Sequence, residues 1–356
     1  TIILNLQSVL SMLLRSLIKL VENGHIPDLL TRAGIRLLLL QRLREQAQEG
    51  PDQEWQAMMT FVEEMRQSPI ALHTQEANEQ HYELPPRFFE LVLGPHLKYS
   101  CCHFPEGVTE LEHAEASMLA LTCERAQLQD GQQILELGCG WGSLSLWMAK
   151  HYPNSSILAV SNSLPQRGFI ESRAQESGLT NLSVQTCDMN DFTTEQHFDR
   201  VVSVEMFEHM RNWQSLLERI SNWLKPEGKL LIHIFSHRRY AYAFSSEGDS
   251  NWMGRYFFTG GIMPSNDLLL YFQKDLLLEQ HWVLSGVHYQ RTADAWLQMM
   301  DSQKGEILQT FRETYGKDAD VWFQRWRMFF LATSEVWGFR GGNEWLISHY
   351  LFNNRR

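Results

Sequence analysis

The chain of 356 residues is short of cysteine, of basic charge and of long apolar runs, and each shortage excludes something. Its five cysteines, Cys101, Cys102, Cys123, Cys139 and Cys187, are odd in number and form no C-x-x-C pair. That argues against a disulfide framework or a cysteine-based zinc centre and for free thiols in a reducing compartment. Thirty-one Lys and Arg against 42 Asp and Glu leave a net charge of −11. Without a basic stripe no nucleic-acid partner is expected, whereas cationic small molecules are mildly favoured. The apolar start, Thr1–Leu14, is too short to span a bilayer and lacks a basic n-region and a cleavage site. Stable membrane insertion is therefore not expected, and a cytoplasmic location is the default. The sequence opens on Thr1, not Met, so residues upstream of it are expected. It contains no internal repeat and no low-complexity tract.

What is present suffices for a full core. Apolar residues make up 44% and aromatic ones 12%, enough for one large domain with additions or for two domains. Residues 1–69 read as an N-terminal helical extension, with leucine periodicity broken at Gly24–Pro27 and a further helix over 53–66. Packing or a homodimer contact is their simplest use. Residues 70–125 mix helices with a polar, aromatic loop and read as a helical cap.

From residue 130 the rhythm becomes regular. Strand-like runs at Gln132–Gly138, Ser156–Ser161, Leu182–Asp188, Arg200–Val204 and Lys229–Phe235 alternate with helical patterns at Ser143–His151, Gln166–Ser177 and Trp213–Leu224. Alternation of this kind predicts right-handed βαβ units and a parallel, doubly wound α/β sheet over 126–236, with ligands beyond the carboxyl ends of the strands. Residues 237–356 lose the rhythm. Two further strand-like stretches, His281–Tyr289 and Leu346–Phe352, predict an antiparallel edge pair, and Trp252–Gln273 reads as a lid.

The strand ends carry the chemistry. After the first comes Glu136-Leu-Gly-Cys-Gly-Trp-Gly142, a glycine turn into a helix that lets a nucleotide-like ligand lie against the backbone. A carboxylate ahead of the glycines suits the cationic tail of S-adenosylmethionine and would repel a pyrophosphate. The second strand ends at Ser161-Asn162-Ser163, with Gln166 a helical step on, so amides face the ribose. The third ends at Asp188-Met189, placed to accept from an adenine amino group and to pack on its ring; Asp188 is equally suited to a turn. The fourth ends in Val204-Glu205-Met206-Phe207-Glu208-His209-Met210. Two carboxylates and an imidazole are costly to bury there without a use, though a plain hydrogen-bond network is a rival account. His233 and His237 lack a matching Cys or carboxylate spacing, so no metal is expected.

At these motifs the chain resembles the cyclopropane-fatty-acid-synthase-like superfamily of S-adenosylmethionine-dependent methyltransferases. Within it the sequence is most similar to plant coclaurine and pavine N-methyltransferases. The stretches that carry the resemblance are Ala77–Pro85, Tyr99–Phe104, Cys123–Gln132, Leu135–Gly142, Glu205–Met210, Tyr256–Gln273, His288–Trp296 and Gly341–Phe352. The resemblance implies a class I, Rossmann-like fold with a seven-stranded sheet, and methyl transfer to the nitrogen of a small, largely apolar amine of the benzylisoquinoline type. It implies cofactor contacts at Ser100, Gly138, Gly140, Asn162, Gln166, Asp188, Met189, Val204 and Glu205. Catalytic or orienting roles fall to Glu208, His209 and Glu83, with Tyr82, Glu83, His233, Tyr256, Phe257, Tyr289 and Trp345 around the substrate. In the lipid-cyclopropanating branch a bicarbonate ion serves as base, held by residues matching Cys101, Glu208, His233 and Tyr289. All four are present, which keeps lipid alkene methylation as the alternative; the absence of any cysteine after Cys187 and the alkaloid-type lid count against it. Gly338–Gly342 reads GFRGG where the alkaloid enzymes tend to carry an asparagine pair.

Overall fold

The change of rhythm at residue 130 is where the sheet begins. The computed structural model describes residues 2–72, 84–248 and 251–354. In it β1 (Gln133–Leu137), β2 (Ser156–Ser161), β3 (Leu182–Thr186), β4 (Phe198–Val204) and β5 (Leu224–His237) pair in parallel. A short hairpin, β6 (Tyr242–Ala243) and β7 (Ile262–Met263), stands apart. β8 (Leu276–Ser285) and β9 (Trp345–Asn354) complete a seven-stranded sheet in the order β3-β2-β1-β4-β5-β9-β8, with β9 antiparallel to both neighbours. The chain winds outward from β1 to β3, then returns to place β4 on the other side of β1. The order therefore reverses between β1 and β4, which is where such sheets open a crevice.

The helices, in chain order, are α1 (Ile2–Glu22), α2 (Asp28–Gln46), α3 (Pro51–Gln67), α4 (Pro86–Val92), α5 (Leu111–Arg125), α6 (Ser143–His151), α7 (Leu164–Glu176), α8 (Trp213–Trp223), α9 (Trp252–Tyr256), α10 (Val287–Ser302), α11 (Lys304–Tyr315) and α12 (Ala319–Gly338). α8 shows why the pattern could be read from sequence. Its apolar residues Trp213, Leu216, Leu217 and Ile220 recur at helical spacing and are all buried, and the Asn212 side chain caps it by accepting from the Ser215 amide. A second core lies beyond the sheet, where α4, α10 and α12 pack Phe88, Phe89, Trp296, Trp326 and Phe330 together.

One expected strand ends early. The run His281–Tyr289 stays extended only to Ser285, and Val287 starts α10. At Gly286 a Cβ would stand 2.2 Å from the Trp345 carbonyl oxygen and 2.3 Å from that of Trp337. The glycine thus lets the chain turn sharply against β9, and it places Tyr289 on a helix aimed at the site. An apolar run without strict alternation does not carry that break.

The N-terminal helices are bound to the rest by charge. Glu22 accepts from Arg325 Nε at 3.0 Å and from Trp252 Nε1 at 3.1 Å. Arg32 pairs with Asp294 at 2.8 Å and with Glu335 at 2.9 Å; Arg36 also pairs with Glu335, and Asp28 with Arg327. Glu335 is buried on α12. Removing residues 1–50 strips both arginines from it, and a stranded buried charge costs about 3–5 kcal/mol. The truncated chain is expected to melt several degrees lower, and Glu335→Leu in that background should recover part of the loss. An unchanged melting temperature would make the extension dispensable.

Candidate active site

At the reversal point a pocket opens over the carboxyl ends of the strands. Gly138, Cys139 and Gly140 line it after β1, then Ser161, Asn162 and Gln166 after β2 and Cys187 and Met189 after β3. Val204, Glu205, Met206, His209 and Met210 follow β4. The loop between α4 and α5 adds Leu97, Lys98, Tyr99 and Ser100, and Leu72 and Thr259 also line it.

The glycine turn is shaped by necessity. Gly138 has φ +79°, and a Cβ there would stand 2.6 Å from Met206 Cγ. The amides of Gly138 and Cys139 both donate to the Val160 carbonyl at 3.0 Å, which ties the turn to β2 and keeps it flat beneath the pocket. Three polar atoms of lining residues are buried without a hydrogen-bond partner among the described residues: Gln166 Nε2, Ser143 Oγ and Trp141 Nε1. Unpaired buried groups are costly, and a polar ligand such as S-adenosylmethionine supplies what they lack. Glu136 accepts from Ser145 Oγ, and burial pushes its carboxyl up to about 8. A ligand ammonium beside it would return it to the charged form.

Glu205 is the centre of the opposite wall. Its backbone is left-handed, φ 47°, a conformation that costs about 1 kcal/mol or more outside glycine and clusters at functional sites. Its carboxylate accepts from the Cys101 amide at 2.8 Å and from Tyr289 Oη at 2.7 Å, and His233 Nε2 lies 3.4 Å away. Burial raises its pKa, and the nearby Lys98 charge is the strongest opposing influence. Lys98 is itself only 2% exposed, with Nζ donating to Ser100 Oγ at 2.6 Å and to the Cys101 carbonyl at 2.7 Å. The sequence marks Lys98 only as the start of the polar, aromatic stretch Lys98–Cys102, which reads as able to wrap the cofactor; it does not single out the lysine as the charge beside Glu205.

His209 and Glu208, expected as a pair, part company. His209 lines the pocket with its ring stacked on Phe258, centroids 4.9 Å apart. Burial pushes it down to about 4, against the pull of Glu205. Glu208 is fully buried and is not among the lining residues; its Oε1 accepts from the Phe235 amide at 2.7 Å. Burial, and next the Glu205 charge, push its carboxyl well above the usual carboxylate range. Adjacency in sequence does not aim two side chains at one cavity, because the short 3₁₀ turn Phe207–His209 points them apart.

Other expected contacts scatter. Asp188 is turned to the amide of Asn190 at 2.8 Å and closes the loop after β3, while its neighbours Cys187 and Met189 face the pocket. His233 and Tyr289 do not line the pocket themselves and lie behind Glu205, which does. Tyr256, Phe257 and Trp345 do not line the pocket. Tyr256 lies under the Arg325 guanidinium at 4.3 Å, Phe257 stacks on Phe329 at 4.5 Å, and Trp345 donates to Tyr242 Oη at 3.3 Å. Their ring faces are taken up by the second core and the hairpin beside it. Tyr82 and Glu83 lie outside the described residues.

A seven-stranded sheet with β9 antiparallel, a glycine turn after β1 and a pocket at the reversal define a Rossmann-like, S-adenosylmethionine-dependent methyltransferase. The family described as mycolic acid cyclopropane synthetase matches residues 71–342. (S)-coclaurine N-methyltransferase of Thalictrum flavum subsp. glaucum is 36% identical over 95% of both chains, and pavine N-methyltransferase of the same plant is 32% identical over 96% of this chain and 97% of its own. A crystal structure of coclaurine N-methyltransferase bound to N-methylheliamine and SAH superposes with a TM-score of 0.92 at 36% identity, over 95% of this chain and 98% of that one. The chain belongs to the mycolic acid cyclopropane synthetase family and is an S-adenosylmethionine-dependent N-methyltransferase within it. The cyclopropane-fatty-acyl-phospholipid synthase of Escherichia coli K12 is a more distant relative, 31% identical over 67% of this chain and 59% of its own.

The glycine turn can be tested directly. Gly138→Ala forces a strained left-handed residue, at about 1–2 kcal/mol, and drives Met206 into the pocket. Calorimetry is expected to show S-adenosylmethionine affinity down roughly tenfold or more, since 1.4 kcal/mol is a factor of ten. Unchanged affinity would remove the turn from the site.

Proposed function

We propose that the acceptor is a small, largely apolar amine of the benzylisoquinoline type and that Glu205 and His209 prepare its nitrogen. The observation that carries this is the seat of the Glu205 carboxylate: it occupies the Cys101 amide and the Tyr289 hydroxyl beside His233. Those are three of the four residues that the resemblance assigns to bicarbonate in the lipid-modifying branch. A fixed carboxylate there replaces a diffusible base.

An alkyl ammonium with a pKa of about 10.4 needs about 4–5 kcal/mol to lose its proton at pH 7. Glu205 attracts the cation and, with its pKa raised by burial, is a better proton acceptor than a free carboxylate. His209, neutral at pH 7, accepts a hydrogen bond from the amine and so aims the lone pair. Glu208 holds the Phe235 amide and through it the turn that carries His209. S-adenosylmethionine, when bound, supplies an electrophilic methyl group. Ser100, Gly138, Gly140, Asn162, Gln166, Met189 and Val204 would hold it; Asp188 holds the loop behind Met189. Met206, Met210, Leu72 and Thr259 offer the acceptor an apolar wall, and the resemblance adds Tyr82 and Glu83, which lie outside the described residues, as substrate contacts.

In this reading residues 70–125 are the cap, 126–236 the cofactor core and 237–356 the lid and substrate region, with 1–69 an extension that braces α12. The enzyme works in the cytoplasm with no nucleic-acid partner. Among the described residues no helix is long and apolar enough to cross a membrane. A homodimer is supported by Leu13, Leu17, Leu29, Leu30 and Leu37, all exposed on α1 and α2; sedimentation tests it. The deciding experiment offers labelled S-adenosylmethionine with a panel of secondary and tertiary benzylisoquinoline amines, and separately with phospholipid vesicles. Amine labelling in bicarbonate-depleted buffer is the expected result. Lipid labelling that requires bicarbonate, with no amine accepted, would overturn the reading.

A further inference from the structure

We propose that Lys98 is a positioning residue for the reaction: its buried ammonium, aimed by a loop wrapped around the Glu115 carboxylate, settles the negative charge of the site on Glu205, where the amine proton has to go. This rests on the amine-methylation reading above. Among the described residues Lys98 is the only Lys or Arg that lines the pocket. Nζ donates to Ser100 Oγ at 2.6 Å and to the Cys101 carbonyl at 2.7 Å, both uncharged acceptors. A third proton remains, and a buried cation bonded only to neutral groups is costly unless an anion stands near. The Cys101 amide donates to Glu205 Oε1 at 2.8 Å. One residue, Cys101, thus bridges the cation and the carboxylate.

The loop is built to hold that ammonium in place. Glu115, on α5, is fully buried and accepts from the amides of Gly94 at 3.1 Å, His96 at 2.9 Å and Lys98 at 3.2 Å. Three amides folded onto one carboxyl group fix the backbone from Gly94 to Lys98. Leu97, within it, is left-handed with φ 51°, a strained conformation for leucine and one that clusters at functional sites. Lys98 is the next residue, so the strain and the buried hydrogen bonds together set where its side chain departs. Burial pushes Glu115 up to about 7, against the three amides and the Lys98 charge.

The need for such a charge comes from the surroundings of Glu205. Two carboxylates in one buried site, Glu205 and Glu208, do not ionise independently. Burial raises both; the Glu205 charge then raises Glu208 further, whereas the Lys98 charge favours the ionised form of Glu205. That asymmetry leaves the charge on the carboxylate that lines the pocket. The other groups around Glu205 are held neutral by burial: Cys101 in the loop, His209 in the 3₁₀ turn, His233 on β5 and Tyr289 on α10. Lys98 itself is faced by Glu115 from α5, Glu205 from the end of β4, Cys101 and Cys102 from its own loop, and His233 and His349 from β5 and β9. An acceptor that arrives as an ammonium gives its N–H proton to Glu205. The freed lone pair forms the new N–C bond as the S–C bond breaks and its electrons stay on sulfur. The proton then leaves Glu205 through the pocket that this residue lines.

The acid limb of kcat, read at saturating S-adenosylmethionine, separates this role from a structural one. Without the Lys98 charge Glu205 ionises only at higher pH, and activity, present above the limb, is lost sooner as pH falls. Lys98→Met should therefore move the limb up by about one unit or more, the usual influence of an adjacent opposite charge. The deficit should be roughly tenfold or more below the wild-type limb, one unit being a factor of ten, and should shrink as pH rises through the shifted limb. In Glu205→Gln the same substitution should leave the pH dependence of the residual rate unchanged. An unmoved limb, or a rate lowered by one factor at every pH in both backgrounds, would overturn the proposal. Should methionine not be tolerated, Lys98→Gln, whose amide can still donate to Ser100 Oγ, is read in the same way. A limb that is lost in Glu205→Gln yet unmoved in the Lys98 variants removes Lys98 alone. If Glu205→Gln keeps the wild-type limb, the base assignment falls, and this proposal with it.

Discussion

Glu205→Gln is expected to lower kcat by roughly 10²–10⁴-fold, the usual weight of a positioned general base, while S-adenosylmethionine affinity changes little. Glutamine keeps an oxygen that can accept from the Cys101 amide or from Tyr289 Oη, so the wall should stand; what it loses is the charge and the proton acceptor. The wild-type acid limb follows from the same group. Burial raises the Glu205 pKa above that of a free carboxylate, so activity is present above that raised value and lost as pH falls through it. The limb should vanish in Glu205→Gln. His209→Ala should also be severe, because among the described residues no other imidazole lines the pocket. Glu208→Gln should stay within about threefold of wild type, since Glu208 does not line the pocket and a glutamine oxygen can still accept from the Phe235 amide. Glu208→Ala instead leaves the Phe235 amide unpaired, a loss of about 1–3 kcal/mol that shows as instability. A Glu208→Gln variant as dead as Glu205→Gln would return Glu208 to the role that its position in the sequence suggested.

That contrast shows how far the sequence could be read. The five parallel strands were legible because their apolar runs are short, bounded by turn residues and separated by helical periodicity. Gly138, Asn162, Gln166, Met189 and Val204 were legible because in a doubly wound sheet the residues just past a strand face the crevice. Residues whose aim depends on one turn of backbone were not. Glu205, Glu208 and His209 lie within five positions, yet a left-handed residue and a 3₁₀ turn send one carboxylate to Cys101 and Tyr289 and the other to Phe235. Tyr256, Phe257 and Trp345 read as an aromatic wall for the substrate. The structure packs Tyr256 and Phe257 against Arg325 and Phe329 of α12, some 70 positions on, and Trp345 against Tyr242, about 100 positions back.

Glu205→Gly should convert the fixed base into a vacant anion seat that small carboxylates can refill. The position suits the change, since φ 47° is strained for glutamate and relaxed for glycine. The fold therefore should not suffer, and backbone relief offsets part of the added chain entropy. The Cys101 amide, Tyr289 Oη and His233 Nε2 remain, with the buried Lys98 charge close by. Two donors, an imidazole nitrogen and a cation around the space of one carboxyl group describe an anion site. Without additives the variant should be as inactive as Glu205→Gln. Bicarbonate or formate at millimolar concentration should restore roughly 10–100-fold of the rate, because a diffusible base recovers only part of the effective molarity of a fixed one. The restored rate should saturate with anion concentration, and acetate, being bulkier, should serve less well than formate. Glu205→Gln offers no space and should not respond to any of them. Equal response of both variants, or of neither, would mean that the carboxylate of Glu205 does not stand where the base acts.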